Sequence, residues 1–322
     1  MAQADAARLV TPAMLGLWLA LGSVPLWIDR VGLYPYLGVE ILIWSIYALA
    51  FNLVLGTAGL VSFGHGAYFG VGAYAFGLAQ FNLSANLWVC LGVAVLAAGL
   101  AGLLVGLFIS HRRGIYYAFM TIAFGQIFWT VAIKAYGITG GEDGLLKIAR
   151  PPADFGVASF DLHDNVALYY FVLVVFAIVV VALWRLVHSP YGQVLAAIRQ
   201  SETRAAHLGY PVWRYKLTVF ALSAAVSGLA GALFAMAQRS AFPDVMGVNQ
   251  SGLIVMMTLV GGGLVSFWGP VIGVLVYIVA RDVIGALTFA WMLYFGLLFM
   301  AIVLFRPEGI AGMAKSLLAR WR

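Results

Sequence analysis

Asn52–Tyr74 reads NLVLGTAGLVSFGHGAYFGVGAY. The stretch is apolar enough to lie in a membrane, yet it carries Gly56, Gly59, Gly64, Gly66, Gly70 and Gly72 among the polar groups Asn52, Thr57, Ser62 and His65. A straight lipid-facing helix needs none of these. Glycine lacks a Cβ and permits turns that other residues resist. Irregular backbone inside a bilayer is tolerated only where protein or a water-filled cavity covers it. The pattern predicts one transmembrane helix, a break, and the start of the next helix beside a translocation path. The alternative is two tightly packed helices whose glycines serve only close approach.

Working outward, the 322 residues are 64% hydrophobic and 9% charged, against about 25% charged in soluble domains. The expected fold class is all-α: a polytopic helical membrane protein. Ten stretches approach the ~20 apolar residues a span needs. They run roughly 12–28, 36–55, 67–81, 87–110, 115–134, 166–187, 217–238, 251–265, 269–284 and 289–305. About ten transmembrane helices are therefore expected, with the glycine-rich segment broken. The first is read as a retained span, because Arg8 alone precedes it and no small-residue cleavage site is evident.

Net charge is +6, but in such a chain the placement of Lys and Arg matters more than their sum. With the N-terminus inside, 12 of the 18 lie on inside segments and 5 on outside ones, Arg281 falling near a span end. That bias places both termini in the cytoplasm and makes the span number even. No nucleic-acid partner follows from the charge. The lone Cys90 lies in an apolar run and has no internal disulfide partner.

Gly59-Leu60-Val61-Ser62-Phe63 recurs identically as Gly263-Leu264-Val265-Ser266-Phe267. Each copy follows an inward span and precedes a new one. Interrupted segments at matching positions of two halves mark substrate paths in many transporters, although chance or packing accounts for five residues equally well. Asn52, Ser62, His65 and Ser266 are accordingly the candidates to border a path. The outer loop 136–165 holds Glu142 and Asp143 in a glycine-rich turn, then Asp154, Asp161, His163 and Asp164. It reads as a solvated loop where a partner docks, ahead of a metal or acid–base site.

Between spans six and seven, Pro190 opens a segment in which Val194, Ala197, Ile198, Ala205 and Leu208 form one face of a short amphipathic helix. Arg199, Glu202 and Arg204 keep the other face wet, and Gly209 and Pro211 end it. A protein groove and a membrane surface fit this helix about equally. Downstream, Ser223, Ser227 and Gly231, with Ala224 and Gly228, are spaced four apart and predict close helix packing. Arg281-Asp282 reads as a snorkelling pair near a span end.

Much chemistry is missing. There is no GxxxxGK[ST] to hold a nucleotide, no HExxH and no Cys/His set with metal spacing. A stand-alone secondary transporter or channel fits composition and repeat as well as any other transport role. A membrane enzyme built on His65 and the outer carboxylates requires groups on opposite sides to converge.

Four stretches resemble a known family. They are the Asn52–Tyr74 segment, TGGEDGL from Thr139, AAIRQSETRAAHLGYPVWRYKLTVFALSAAVSGLAGAL from Ala196, and LVGGGLVSFWGPVIG from Leu259 with FRPEGIAG from Phe305. Together they are similar to permease subunits of branched-chain amino acid ABC importers, the LivM-like group. The resemblance implies one permease domain over 1–322, a periplasmic loop at 136–165 and a cytoplasmic coupling helix within 188–216. It implies a bacterial inner-membrane assembly with a second, related permease, two cytoplasmic ATPases and a periplasmic substrate-binding protein. ATP and Mg²⁺ then belong to the ATPases, and this chain is neither an enzyme nor a cofactor holder. Arg199, Glu202, Ala205 and Gly209 become the expected ATPase-coupling residues, and Glu142 and Asp143 the receptor-docking ones. Related permeases also serve urea, short amides and aromatic acids, and no residue separates these substrates.

Overall fold

The computed structural model describes residues 18, 21–25, 34–154, 159–288, 290–306 and 308–320. The expected first span, 12–28, falls mostly outside these residues; Trp18 and residues 21–25 are helical. Helix α1, Pro35–Asn52, begins on a proline whose missing N–H costs nothing at a first turn. It runs into a π-helical turn at Leu53–Thr57. Then follow α2 (His65–Asn82), α3 (Leu87–Ile109), α4 (Gly114–Lys134) and α5 (Asn165–His188). A short pair, α6 (Pro190–Gln200) and α7 (Glu202–His207), leads to α8 (Val212–Gln238). The chain closes with α9 (Val248–Gly261), α10 (Gly269–Leu287), α11 (Trp291–Phe305) and α12 (Gly309–Arg320).

Among the described residues six helices, not ten, are long and apolar enough to cross a membrane: Tyr36–Thr57, α3, α4, α5, α8 and α10. Two shorter apolar helices, α9 and α11, accompany them. The expectation of ten rested on apolar run length alone. The run ending at Val265 is cut short because Gly262, at φ +89°, turns the chain out of α9. Glycines dilute α2, whose 18 residues include Gly66, Gly70, Gly72 and Gly77.

The core lies where α1, α2 and α8 meet. The span formed by α1 and its π turn is 94% buried over its most apolar window, whereas α4 and α10 are each 28% buried. A helix enclosed on all sides needs no polar stripe, and α1 has none. Leu96, Leu100, Leu104 and Phe108 on α3 and Phe119, Ile127 and Val131 on α4 are exposed, as lipid contact requires. The small-residue ladder of α8 does what its spacing predicts. A Cβ on Gly231 would fall 1.8 Å from the Phe69 carbonyl oxygen, and one on Gly72 would fall 2.1 Å from that of Gly228. Backbones of α2 and α8 therefore touch directly.

One end of the bundle carries the 136–165 loop; the other carries the α5–α8 junction. At the loop end, β1 (Leu145–Leu146) pairs antiparallel with a later strand at Ser240–Ala241, and Ala153–Asp154 pairs with Ser159–Phe160. These two ladders are the only strands among the described residues. Arg150, 7% exposed, donates to the carbonyls of Met236 (3.4 Å), Ala237 (2.8 Å) and His163 (3.2 Å) and to Asn165 Oδ1 (3.0 Å). It caps the negative end of α8, while burial and nearby Arg239 push its pKa down.

Candidate functional site

The junction begins with a sharp corner. Ser189 caps α6, accepting from the Gly192 N–H at 3.4 Å, and a Cβ at Gly192 would collide with the Val187 carbonyl oxygen at 2.0 Å. The expected single amphipathic helix is two helices. Ser201 is extended (φ −164°) and its side chain caps α7 through the Arg204 N–H at 3.3 Å. A hydroxyl that can cap competes with helix continuation, and here it wins. Of the expected apolar face, Ile198 and Ala205 are buried, Val194 and Ala197 are half-buried, and Leu208 is 75% exposed because the break rotates it away; Leu195, outside that expected face, is buried instead.

Arg199 and Glu202 do not point away from the protein. The Arg199 Nη1 donates to the Gly56 carbonyl, and also to the Leu264 carbonyl at 3.2 Å. Gly56 lies in the π turn after α1, and Leu264 in the turn after α9. One side chain on α6 thus bonds at both breaks, beside both copies of Gly-Leu-Val-Ser-Phe. Its stem fills the space left at Gly59 (φ +72°), where a Cβ would sit 2.7 Å from Arg199 Cγ. Glu202 accepts from Arg113 Nε at 2.7 Å and from Lys216 Nζ at 3.1 Å. Lys216 is 1% exposed and also donates to the Arg112 carbonyl. Glu202 therefore ties α7 to the base of α8 and to the α3–α4 turn. Gly209, at φ +89°, reverses the chain after α7, and nothing lies within 4 Å of its would-be Cβ. Exposed on the junction are Gln193, Ala196 and Gln200 of α6, with Arg199 exposed beside its two carbonyl partners, and Thr203, Arg204, Ala206, His207, Leu208 and Tyr210 of α7 and the turn after it.

Of the four expected path residues, the structure brings two together. Asn52 and Ser266 line a cavity of about 260 Å³ with Gly56, Arg199, Gly263 and Phe267. The Asn52 Oδ1 is buried and has no hydrogen-bond partner. Ser62 and His65 are elsewhere, both fully buried. His65 Nδ1 lies 2.8 Å from Ser62 Oγ and Nε2 2.9 Å from Ser223 Oγ, and Ser223 donates to the Ala50 carbonyl at 2.6 Å. Because the single Ser223 proton is committed to Ala50, His65 must carry its proton on Nε2 and accept from Ser62. Phe51, Tyr68 and Phe220 meet the imidazole edge-on. The group joins α1, α2 and α8 by hydrogen bonds.

Glu142 and Asp143 are exposed on a 3-10 turn held by left-handed Gly140, Gly141 and Gly144. His163 pairs with Asp161 at 2.7 Å, which with the His163 backbone N–H holds that carboxyl below its usual range. No group of three or more metal-ligating side chains occurs among the described residues.

Sequence reasoning missed two charged partnerships. Glu40, 8% exposed on α1, makes a bidentate pair with Arg281 on α10 at 2.7 and 2.8 Å, and Arg281 also reaches Asp282 at 3.1 Å. The signal was a lone carboxylate inside an apolar run, which in a membrane demands a named partner. Lys216 is the second: in sequence it is one inside charge among twelve, and only the fold buries it against Glu202.

A multi-pass helical bundle with two broken, glycine-lined segments and a charged junction tied to both defines a membrane transport component. The profile of the family described as "Branched-chain amino acid transport system / permease component" matches residues 36–305, and the chain belongs to that family. It is 30% identical over 295 residues to the high-affinity branched-chain amino acid transport system permease protein LivM of Escherichia coli (strain K12), covering 85% of this chain and 69% of that protein. A probable branched-chain amino acid transport permease protein LivM of Methanocaldococcus jannaschii is 22% identical, covering 84% and 92%. The L-arabinose ABC transporter permease protein AraH of Azospirillum brasilense is 28% identical, covering 72% and 68%. No solved structure gives a significant match.

Proposed function

We propose that the chain is the transmembrane permease of an ATP-driven importer and moves branched-chain or related amino acids inward by alternating access. The observation that carries this reading is the doubly anchored junction: Arg199 bonds at both breaks, and Glu202 ties the same segment to α4 and α8. A free-standing transporter has no need of a rigid handle projecting from its spans. An ATPase that closes against the outward residues of α6 and α7 would displace both breaks together. Turning such a balance from 1:99 to 99:1 takes about 5.5 kcal/mol, within reach of ATP.

The family supports the remaining parts. They are a second permease, two cytoplasmic ATPases holding ATP and Mg²⁺, and a periplasmic binding protein that docks over Glu142 and Asp143. The bacterial inner membrane is the site, with both termini in the cytoplasm. Helices α2, α9 and α11 would bring the spans among the described residues from six to nine, and the expected span at 12–28, which lies mostly outside those residues, would make ten. The Asn52–Ser266 cavity lies on the inner part of the path, and Ser62 and His65 set the helix contacts beside it.

Reconstitution tests this. Liposomes with the second permease, the ATPases and the binding protein should accumulate leucine when ATP is supplied, and this chain alone should not. Uphill uptake by the chain alone would overturn the reading in favour of a stand-alone transporter.

A further inference from the structure

The link between α8 and α9 plunges into the bundle. Gly77 of α2 abuts Leu145 and Ile148 of the loop end, its Cβ position lying 3.2 and 2.9 Å from them. Gly66, eleven residues earlier on the same helix, has its Cβ position 3.0 Å from the Val245 carbonyl and 3.2 Å from that of Gly247. At 1.5 Å per residue the link therefore descends about 16 Å below the loop end, roughly half of a ~30 Å hydrocarbon core. The Gly66 N–H donates to Ser251 Oγ at 2.9 Å and fixes that depth. Non-helical backbone there must be covered by protein or line a wet cavity, and the cavity is present. Gln126 and Trp129 of α4 and Asp244, Val248, Asn249 and Gln250 of the link line about 560 Å³.

Asp244 is exposed and makes no side-chain hydrogen bond or ion pair among the described residues. An unpaired carboxylate at mid-membrane is costly and marks function by default. Tyr74 of α2, 4% exposed, has a hydroxyl without a partner. The first-turn N–H groups of α9, a 14-residue helix without a side-chain cap, lie at the same cavity. We propose that this cavity is a substrate site in which Asp244 receives the ammonium group of a zwitterionic amino acid, with Trp129 and Val248 against its apolar side chain. The inference rests on the transport reading above and narrows it: urea, amides and aromatic carboxylates lack the cation this carboxylate recognises.

Two measurements test it. In membranes holding the full chain, Asn249→Cys should react about tenfold faster with an aminoethyl than with a sulfonatoethyl methanethiosulfonate, the cavity being negative. Leucine should protect it; 4-methylpentanoate, which is leucine without the ammonium, should not. Adding Asp244→Asn should abolish both preference and protection. In the complete transporter, Asp244→Asn should raise the leucine KM about tenfold, and Asp244→Glu should recover part of it. Equal reagent rates, protection by 4-methylpentanoate, or an unchanged KM in Asp244→Asn would overturn the site while leaving leucine transport by the parent protein standing. If the parent assembly moves no amino acid, the transport reading fails and this site with it.

Discussion

At the scale of single residues, polar groups inside the bundle are used as fasteners. Ser223 connects the His65 imidazole to the Ala50 carbonyl, so Ser223→Ala leaves the buried His65 Nε2–H unpaired while the Ala50 carbonyl keeps the Leu53 N–H. That should cost about 1–3 kcal/mol, seen as a lower unfolding temperature in detergent with the helix content of the folded state unchanged. Glu202 presents a sharper case. Glu202→Ala strands the Lys216 ammonium, a loss of 3–5 kcal/mol when both charges are fully buried. Glu202 is 19% exposed and Lys216 keeps the Arg112 carbonyl, so about 2 kcal/mol is expected. Glu202→Ala with Lys216→Met should regain that stability, because no unpaired charge remains, yet should not regain transport. A double variant as unstable as the single one would show that the ion pair is not the source of the loss.

At the scale of elements, close approach of α2 and α8 is the feature most exposed to test. Gly231→Ala places a methyl group against the Phe69 carbonyl and should destabilise by at least about 2 kcal/mol. Gly296→Ala on α11, where nothing lies within 4 Å, should have little effect on thermal unfolding. This packing was legible in the sequence, because four-residue spacing of small side chains has one meaning in a helix. Span positions were legible for the same reason: apolar run length maps onto α1, α3, α4, α5, α8 and α10 within a few residues. The division of the junction at Ser201 was not, since a serine inside an amphipathic pattern caps or continues a helix according to tertiary contacts. Nor were the partners of Arg199, which lie 143 and 65 residues away in sequence. The depth of the link before α9 was hidden too. Hydropathy reports how greasy a run is, not how far down it starts.

At the scale of the whole molecule, the junction is bonded to both breaks, and the proposed function makes it the handle that moves them. Arg199→Ala should leave the permease folded and its ATPases hydrolysing ATP while leucine uptake falls at least about tenfold. Arg199→Lys keeps the charge but not the fork and should fall between. Loss of ATP hydrolysis together with ATPase binding would instead place Arg199 at the ATPase surface. The recurrence of Gly-Leu-Val-Ser-Phe gains its meaning only at this scale. Copies separated by about two hundred positions in sequence are brought to the same arginine, the first against its stem at Gly59 and the second to its guanidinium at Leu264.

That shared guanidinium has a mechanical corollary. Two hinges fastened to one pin swing in step: the pin cannot let go of one carbonyl by moving off without straining its hold on the other. Opening toward the cytosol should accordingly be all-or-none within a single chain, and a half-released form, with one hinge free and the other clasped, should be too short-lived to leak solute.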